Sequence, residues 1–190
     1  MRKKIPIEVS ARHIHLSRAD VDKLFGQDYQ LKELRRLGQP YEFAAQEILV
    51  IKSGDKFINN VRVVGPERER TQVEISLTDA VGLGIQVPLR LSGDVNGSSP
   101  VVIIGPNCQI ELKEGLIIAK RHLHCAVDEA KKLKLKNGDI VSARVSGPRE
   151  TVFHQIIVRA GKGYKLCLHL DTDEGNAAGI SKMGQGELIK

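Results

Sequence analysis

Arg12-His13-Ile14-His15 near the start of the chain and Arg121-His122-Leu123-His124 past its middle are two copies of one tetrad, and four of the six histidines lie in them. In an extended strand alternate side chains share a face, so each pair projects two imidazoles to one side, about 7 Å apart at about 3.3 Å of rise per residue. That geometry suits a single metal ion. On a helix the same i, i+2 spacing would send the rings to nearly opposite sides, so the local structure decides the chemistry. The flanks favour strand. Ile7, Val9 and Ala11 alternate with Glu8, Ser10 and Arg12, and Leu116-Ile117-Ile118-Ala119 is a short apolar run leading into the second tetrad.

The segment after each tetrad is also repeated. Ser17-x-x-Asp20 reads as a capping-box start to a short helix through Leu24, ended by Gly26, and Val127 to Leu133 is its counterpart before Asn137-Gly138. The register is tight: His13 to His122, His15 to His124 and Leu24 to Leu133 are each separated by 109 positions. Further on, Val61-Arg62-Val63-Val64-Gly65-Pro66 matches Ala143-Arg144-Val145-Ser146-Gly147-Pro148 at an offset of 82, and the stretch from Val73-Glu74-Ile75 to Gly84-Ile85 matches that from Leu168-His169-Leu170 to Gly179-Ile180 at an offset of 95. Glu74 therefore falls opposite His169.

Each half thus offers two histidines and one further metal-competent side chain: His13, His15 and Glu74, then His122, His124 and His169. Three protein ligands with a fourth position open are the pattern of a catalytic zinc, not a structural one. A lone His-x-His is more often a pair of surface or hydrogen-bonded histidines. Duplication weakens that reading, because buried imidazoles cost free energy unless partnered and a barrel core does not need them. His154, on an apolar strand with no repeat partner, reads as structural.

With 190 residues the chain can build one large domain or two small ones, and the repeat favours two, residues 1–105 and 106–190. Three cysteines in no framework spacing, with no apolar leader, imply a reduced, cytoplasmic setting. No run approaches a membrane span. Cys125 and Cys167 adjoin the histidines and read as small buried residues, with auxiliary metal ligation the alternative. The net charge of +6 fits a small polyanion such as a phosphorylated cofactor; aromatics at 4 % and the lack of a basic cluster interleaved with them argue against nucleic acid. Met1-Arg2-Lys3-Lys4 is a short basic, solvated end.

Short strand-like runs (47–52, 60–64, 72–77, 101–104, 109–112, 140–145, 151–160 and 164–170) alternate with Gly, Pro, Asn and Asp clusters. Long helical periodicity is absent, apart from a short helix expected around Leu31 to Leu37. The spacing points to small barrels or sandwiches with brief capping helices. Ser92 to Pro100 reads as a flexible loop, either a plain linker or a substrate cover.

The chain resembles the PduL-type phosphate propanoyltransferases, also called microcompartment phosphotransacylases, over almost its whole length. The likeness is carried by Ser10-Ala11-Arg12-His13-Ile14-His15-Leu16, Val63-Val64-Gly65-Pro66-x-Arg68, Thr71-Gln72-Val73-Glu74-Ile75-Ser76, Pro88-Leu89-Arg90-Leu91-Ser92-Gly93-Asp94, Ala119-Lys120-Arg121-His122-Leu123-His124 and His169-Leu170-Asp171-Thr172-Asp173-Glu174-Gly175-Asn176-Ala177. The resemblance implies a mainly β fold of two similar small barrels capped by short helices, an internal duplication with strands exchanged between the halves, and a homodimer or higher homo-oligomer. It implies a two-zinc centre, with His13, His15 and Glu74 on one metal and His122, His124 and His169 on the other, and Arg68 on phosphate.

The implied reaction is reversible transfer of a propanoyl or acetyl group between coenzyme A and inorganic phosphate. Metal ions suit it because charge builds on the carbonyl oxygen and the departing sulfur, and no protein nucleophile is required. Arginine suits phosphate because its planar fork donates two parallel hydrogen bonds. Arg90 is a candidate for a coenzyme A phosphate, with a surface salt bridge as the alternative. Cobalt or iron fits an oxygen and nitrogen ligand set nearly as well as zinc. Microcompartment members usually carry an amphipathic N-terminal extension. Only twelve residues precede His13, so a free cytoplasmic enzyme is expected. Two rivals are a dinuclear metal hydrolase releasing free acid from a thioester, and a non-catalytic barrel that binds metal or nucleic acid.

Overall fold

The computed structural model describes residues 3–189, so Met1 and Arg2 of the basic end lie outside the described residues while Lys3 and Lys4 begin the first strand. The elements, in order, are β1 Lys3–Ser10, β2 His13–His15, α1 Arg18–Phe25, β3 Glu33–Arg36, β4 Phe43–Ser53, β5 Lys56–Gly65, β6 Gln72–Glu74, α2 Leu77–Leu83, β7 Leu89–Arg90, β8 Ser99–Ile104, β9 Gln109–Ala119, β10 His122–Cys125, α3 Val127–Leu133, β11 Ile140–Val145, β12 Thr151–Ala160, β13 Cys167–Asp171, α4 Thr172–Ala178 and β14 Met183–Ile189. No helix among the described residues is long and apolar enough to cross a membrane.

The strands close into two six-membered rings of mixed direction. In one, β4, β5, β2, β6, β9 and β8 pair in that order and β8 returns to β4. In the other the order is β11, β12, β10, β13, β1 and β14, with β14 returning to β11. Position for position the pairings agree in sense: each histidine strand lies parallel to one neighbour (β5, β12) and antiparallel to the other (β6, β13). Closure leaves these strands no open edge. β3 and β7 are additions beside β4 and β9. The expected mainly β architecture of two small barrels with short helices is therefore what the chain adopts.

Two compact units result, and neither is contiguous in sequence. One holds residues 12–37 and 41–119; the other holds β1 with the residues through Ala11, Gly38–Pro40, and the chain from Lys120 onward. These units do not coincide with the halves 1–105 and 106–190. The reason is pairing: the backbone of β1 is satisfied by β13 and β14, and that of β9 by β6 and β8.

Each barrel fills with the alternate residues of its staves. Ile14, Leu49, Ile51, Val61, Val63 and Leu116 are in one core, and Ile5, Ile7, Leu123, Ile156, Val158 and Leu168 in the other. Helices α1 and α3 follow the histidine strands as expected, the first capped by the Ser17 side chain accepting from Asp20 N and closed at Gly26. Leu31 to Leu37 is not a helix. Glu33–Arg36 pairs antiparallel with β4, where Leu34 is exposed, and edge pairing overrides local helix propensity.

Candidate metal centre

In β2, Ile14 points into the barrel core, so His13 and His15 project from the opposite face; in β10, Leu123 does the same for His122 and His124. The register then supplies the third member of each set. His13 is the direct cross-strand partner of Glu74, and His122 of His169, in antiparallel pairs that hold such side chains about 5 Å apart at Cβ. The offset of 95 in the sequence is thus a structural equivalence.

In the His13 unit the Nε2 atoms of His13 and His15 lie 3.2 Å apart, and His13 Nε2 stands 3.8 Å from Glu74 Oε2. His15 Nδ1 lies 3.1 Å from the Val64 carbonyl oxygen. A carbonyl only accepts, so Nδ1 carries the proton and Nε2 is left as a Lewis base. Burial, then His13, then Arg68 hold the His15 pKa well below the ordinary histidine value, which keeps the ring neutral. Glu74 Oε1 accepts from Gln72 Nε2 and Ser92 Oγ, each at 2.6 Å, leaving Oε2 toward His13. The ligand atoms of His13, His15 and Glu74 all lie within 4.8 Å of one another. Two imidazoles and an oriented carboxylate fit a divalent ion such as zinc.

In the His122 unit the rings of His122, His124 and His169 are mutually adjacent, with centroids 4.6, 4.9 and 5.1 Å apart. His122 Nδ1 donates to Lys120 O at 2.8 Å, the same arrangement that fixes His15. His124 stacks on Tyr164 at 4.2 Å, and His169 Nε2 lies 3.3 Å from Gln39 Nε2. Gln39 is itself buried and tied to the backbone of Lys165 in both directions. Among the described residues, the second group whose ligand atoms gather within 4.8 Å is Glu8, Cys167 and His169.

Arg68 projects its fork beside the first set. Its Nη1 donates to Ser92 Oγ at 3.2 Å and its Nη2 to Glu42 Oε1 at 3.1 Å, while its backbone N–H donates to Leu16 O. Ser92 therefore links the guanidinium to the carboxylate of Glu74. Arg90 sits on β7 beside Ala119 of β9, with one guanidinium nitrogen 3.3 Å from the position of a Cβ on Gly97. His154 is exposed, its Nδ1 2.8 Å from Ser142 Oγ. Cys125 and Cys167 are buried and Cys108 is exposed.

Several members of this network cannot be picked out from the amino-acid sequence. Glu42 lies in no motif; Gln72 and Ser92 lie within the Thr71–Ser76 and Pro88–Asp94 stretches, which give them no role by themselves. The tetrad arginines have a shared role: Arg12 pairs with Asp79 and Arg121 with Glu174, the acids three residues into the caps of α2 and α4. Those acids are also related by the offset of 95, so that signal was present in the sequence.

The family model described as phosphate propanoyltransferase matches residues 6–181. A phosphate propanoyltransferase of Lachnoclostridium phytofermentans is 46% identical over 178 residues, covering 93% of this chain and 83% of the relative. Proteins of the same description from Thermotoga maritima and Clostridioides difficile are 45% and 43% identical over 186 residues, covering 97% and 98% of this chain and 87% and 89% of the relatives.

Proposed function

The chain belongs to the phosphate propanoyltransferase family, and on that premise we propose that it transfers a short acyl group, propanoyl or acetyl, reversibly between coenzyme A and inorganic phosphate. The phosphate oxygen bonds to the acyl carbon, the carbon–sulfur bond breaks, and coenzyme A leaves as the thiol or thiolate. The observation that carries the reading is the join of Arg68 to Glu74 through Ser92, which puts an anion-binding fork beside a metal-competent His-His-Glu set.

His13, His15 and Glu74 would hold one metal ion and His122, His124 and His169 another, zinc being the ion that fits the donors best. When bound, such ions supply positive charge where it builds in the reaction, on the carbonyl oxygen and the departing sulfur. Arg68 binds phosphate through paired N–H donors, exchanging its hold on Glu42 for the substrate. Ser92 keeps the guanidinium aimed as that exchange occurs. Arg90 is read as a contact to a coenzyme A phosphate. The halves 1–105 and 106–190 are read as the repeated units, with β1 and β9 exchanged between them; the equal order and sense of pairing in the two barrels supports this.

The test is release of coenzyme A thiol from acetyl- and propanoyl-CoA by metal-analysed protein with and without phosphate, with the second product identified. Acyl phosphate formed only with phosphate, lost on chelation and restored by metal, is expected. Thiol release without phosphate, yielding free acid, would instead assign a hydrolase.

A further inference from the structure

The strands that frame His169 carry other ligand-type side chains. Glu8 on β1 is the register partner of His169 in the parallel pair with β13, and Cys167, two residues before His169, shares its face. Ile7, Leu168 and Leu170, which alternate with them, fill the barrel core, so Glu8, Cys167 and His169 lie together on the opposite face. Cys167 and His169 are buried and Glu8 is partly so. One carboxylate oxygen, one sulfur and one ring nitrogen all lie within 4.8 Å of one another. Around a tetrahedral ion with bonds of about 2.0–2.3 Å, ligand atoms stand about 3.3–3.8 Å apart. Side-chain torsions on two hydrogen-bonded strands can supply the remaining ångström or so. The Gly38 backbone presses on the Glu8 carboxylate so closely that a Cβ there would collide with it, and Gln39 pins the same loop to Lys165.

We propose that Glu8, Cys167 and His169 form a binding site for a thiophilic divalent cation, separate from the three-histidine set and sharing His169 with it. On binding, the Cys167 thiol proton leaves to solvent and the sulfur lone pair bonds to the ion, with no change of oxidation state. The donor set favours softer ions than a set of nitrogens and oxygens does. The inference stands on the geometry of this unit alone and does not rest on the transferase reading.

The experiment is titration of the metal-stripped full chain with cobalt(II), followed by absorption, because a sulfur-to-cobalt charge-transfer band in the near ultraviolet requires a thiolate ligand and histidine–carboxylate sites give none. The band is expected on the wild-type chain, lost in Cys167→Ser and retained in Cys125→Ser. Glu8→Gln should keep the band but weaken cobalt binding about tenfold or more. Should Cys167→Ser fail to fold, cobalt protection of Cys167 from alkylation, mapped on wild-type peptides, gives the same answer. Absence of the band at saturating cobalt, its survival in a folded Cys167→Ser chain, or no protection of Cys167 would overturn the proposal.

Discussion

Replacing the two tetrad arginines, Arg12→Ala and Arg121→Ala, should have unequal effects although the sequence presents them as equivalents. Arg121 Nε stands 2.6 Å from Glu174 Oε1, with side chains 32% and 17% accessible. It also donates to His154 O at 3.1 Å and lies 5.3 Å from the Phe153 ring centroid. A charge-assisted hydrogen bond contributes about 1.5–3 kcal/mol, the carbonyl bond about 1 and the ring contact about 0.5–1. These overlap and are partly solvated, so about 2–3 kcal/mol is expected in total. Arg12 Nε is 3.4 Å from Asp79 Oδ2 on a side chain 44% accessible, the range in which exposed pairs contribute about 0.2–1 kcal/mol. The chain has no tryptophan, so urea unfolding is best followed by far-ultraviolet circular dichroism. pH gives a second signature. Burial raises the Glu174 pKa even against the Arg121 charge, so its ionisation opposes folding above the ordinary glutamate value. Without Arg121 the folded pKa rises further. The ion-pair part of the loss in Arg121→Ala is then full at neutral pH and disappears as pH falls below the unfolded value of 4.5, while the carbonyl and ring contacts remain lost at every pH. Equal losses in the two variants, or a loss in Arg121→Ala that does not change with pH, would refute the assignment of these arginines to the helix caps.

Arg68→Ala should lower phosphate-dependent turnover about 10²–10³-fold, and Arg68→Lys should recover only part of it, since a point charge lacks the fork; steady-state kinetics with phosphate varied decide, and near-normal turnover in the alanine variant would remove Arg68 from the site. In the metal-free protein, neutral His15 contributes stability that is fully present above the ordinary histidine value and is lost as pH falls below it, because the unfolded chain takes up the proton first. Unfolding between pH 8 and 5 should therefore show a steeper loss for wild type than for His15→Gln, and parallel curves would contradict this. Gly175→Ala puts a Cβ 2.6 Å from Val9 Cγ2 and 2.8 Å from Ile180 O, so it should cost about 1–3 kcal/mol by overpacking, read as a lower urea midpoint; an unchanged midpoint would show that α4 shifts freely.

The period-2 patterning around both tetrads, the Gly and Pro punctuation and the helix starts at Ser17 and Val127 were all legible, because they are local properties of a few residues. Two barrels capped by brief helices followed from them and from the resemblance together. The repeat even named a cross-strand contact: Glu74 and His169, matched by offset alone, both lie opposite the first histidine of their pair. Leu31 to Leu37 reads as helix on local propensity because its alternation is weak, and β4 supplies the partner that makes it a strand. Glu42 leaves no signal, because its bond joins it to Arg68, a group distant in the chain, whereas Gln72 and Ser92 stand in recognisable stretches and only their bonds to Glu74 depend on the fold.

Spacing along the chain settles which side chains can share a face and that this happens twice, since both follow from strand geometry. It did not determine which strand neighbours which. Pairing is a long-range choice made by closing all backbone hydrogen bonds at once, and it joined β1 to β13 and set Glu8 beside His169. Only that tertiary choice brought Cys167, Glu8 and His169 together and put Arg68, Ser92 and Glu74 in one chain of hydrogen bonds.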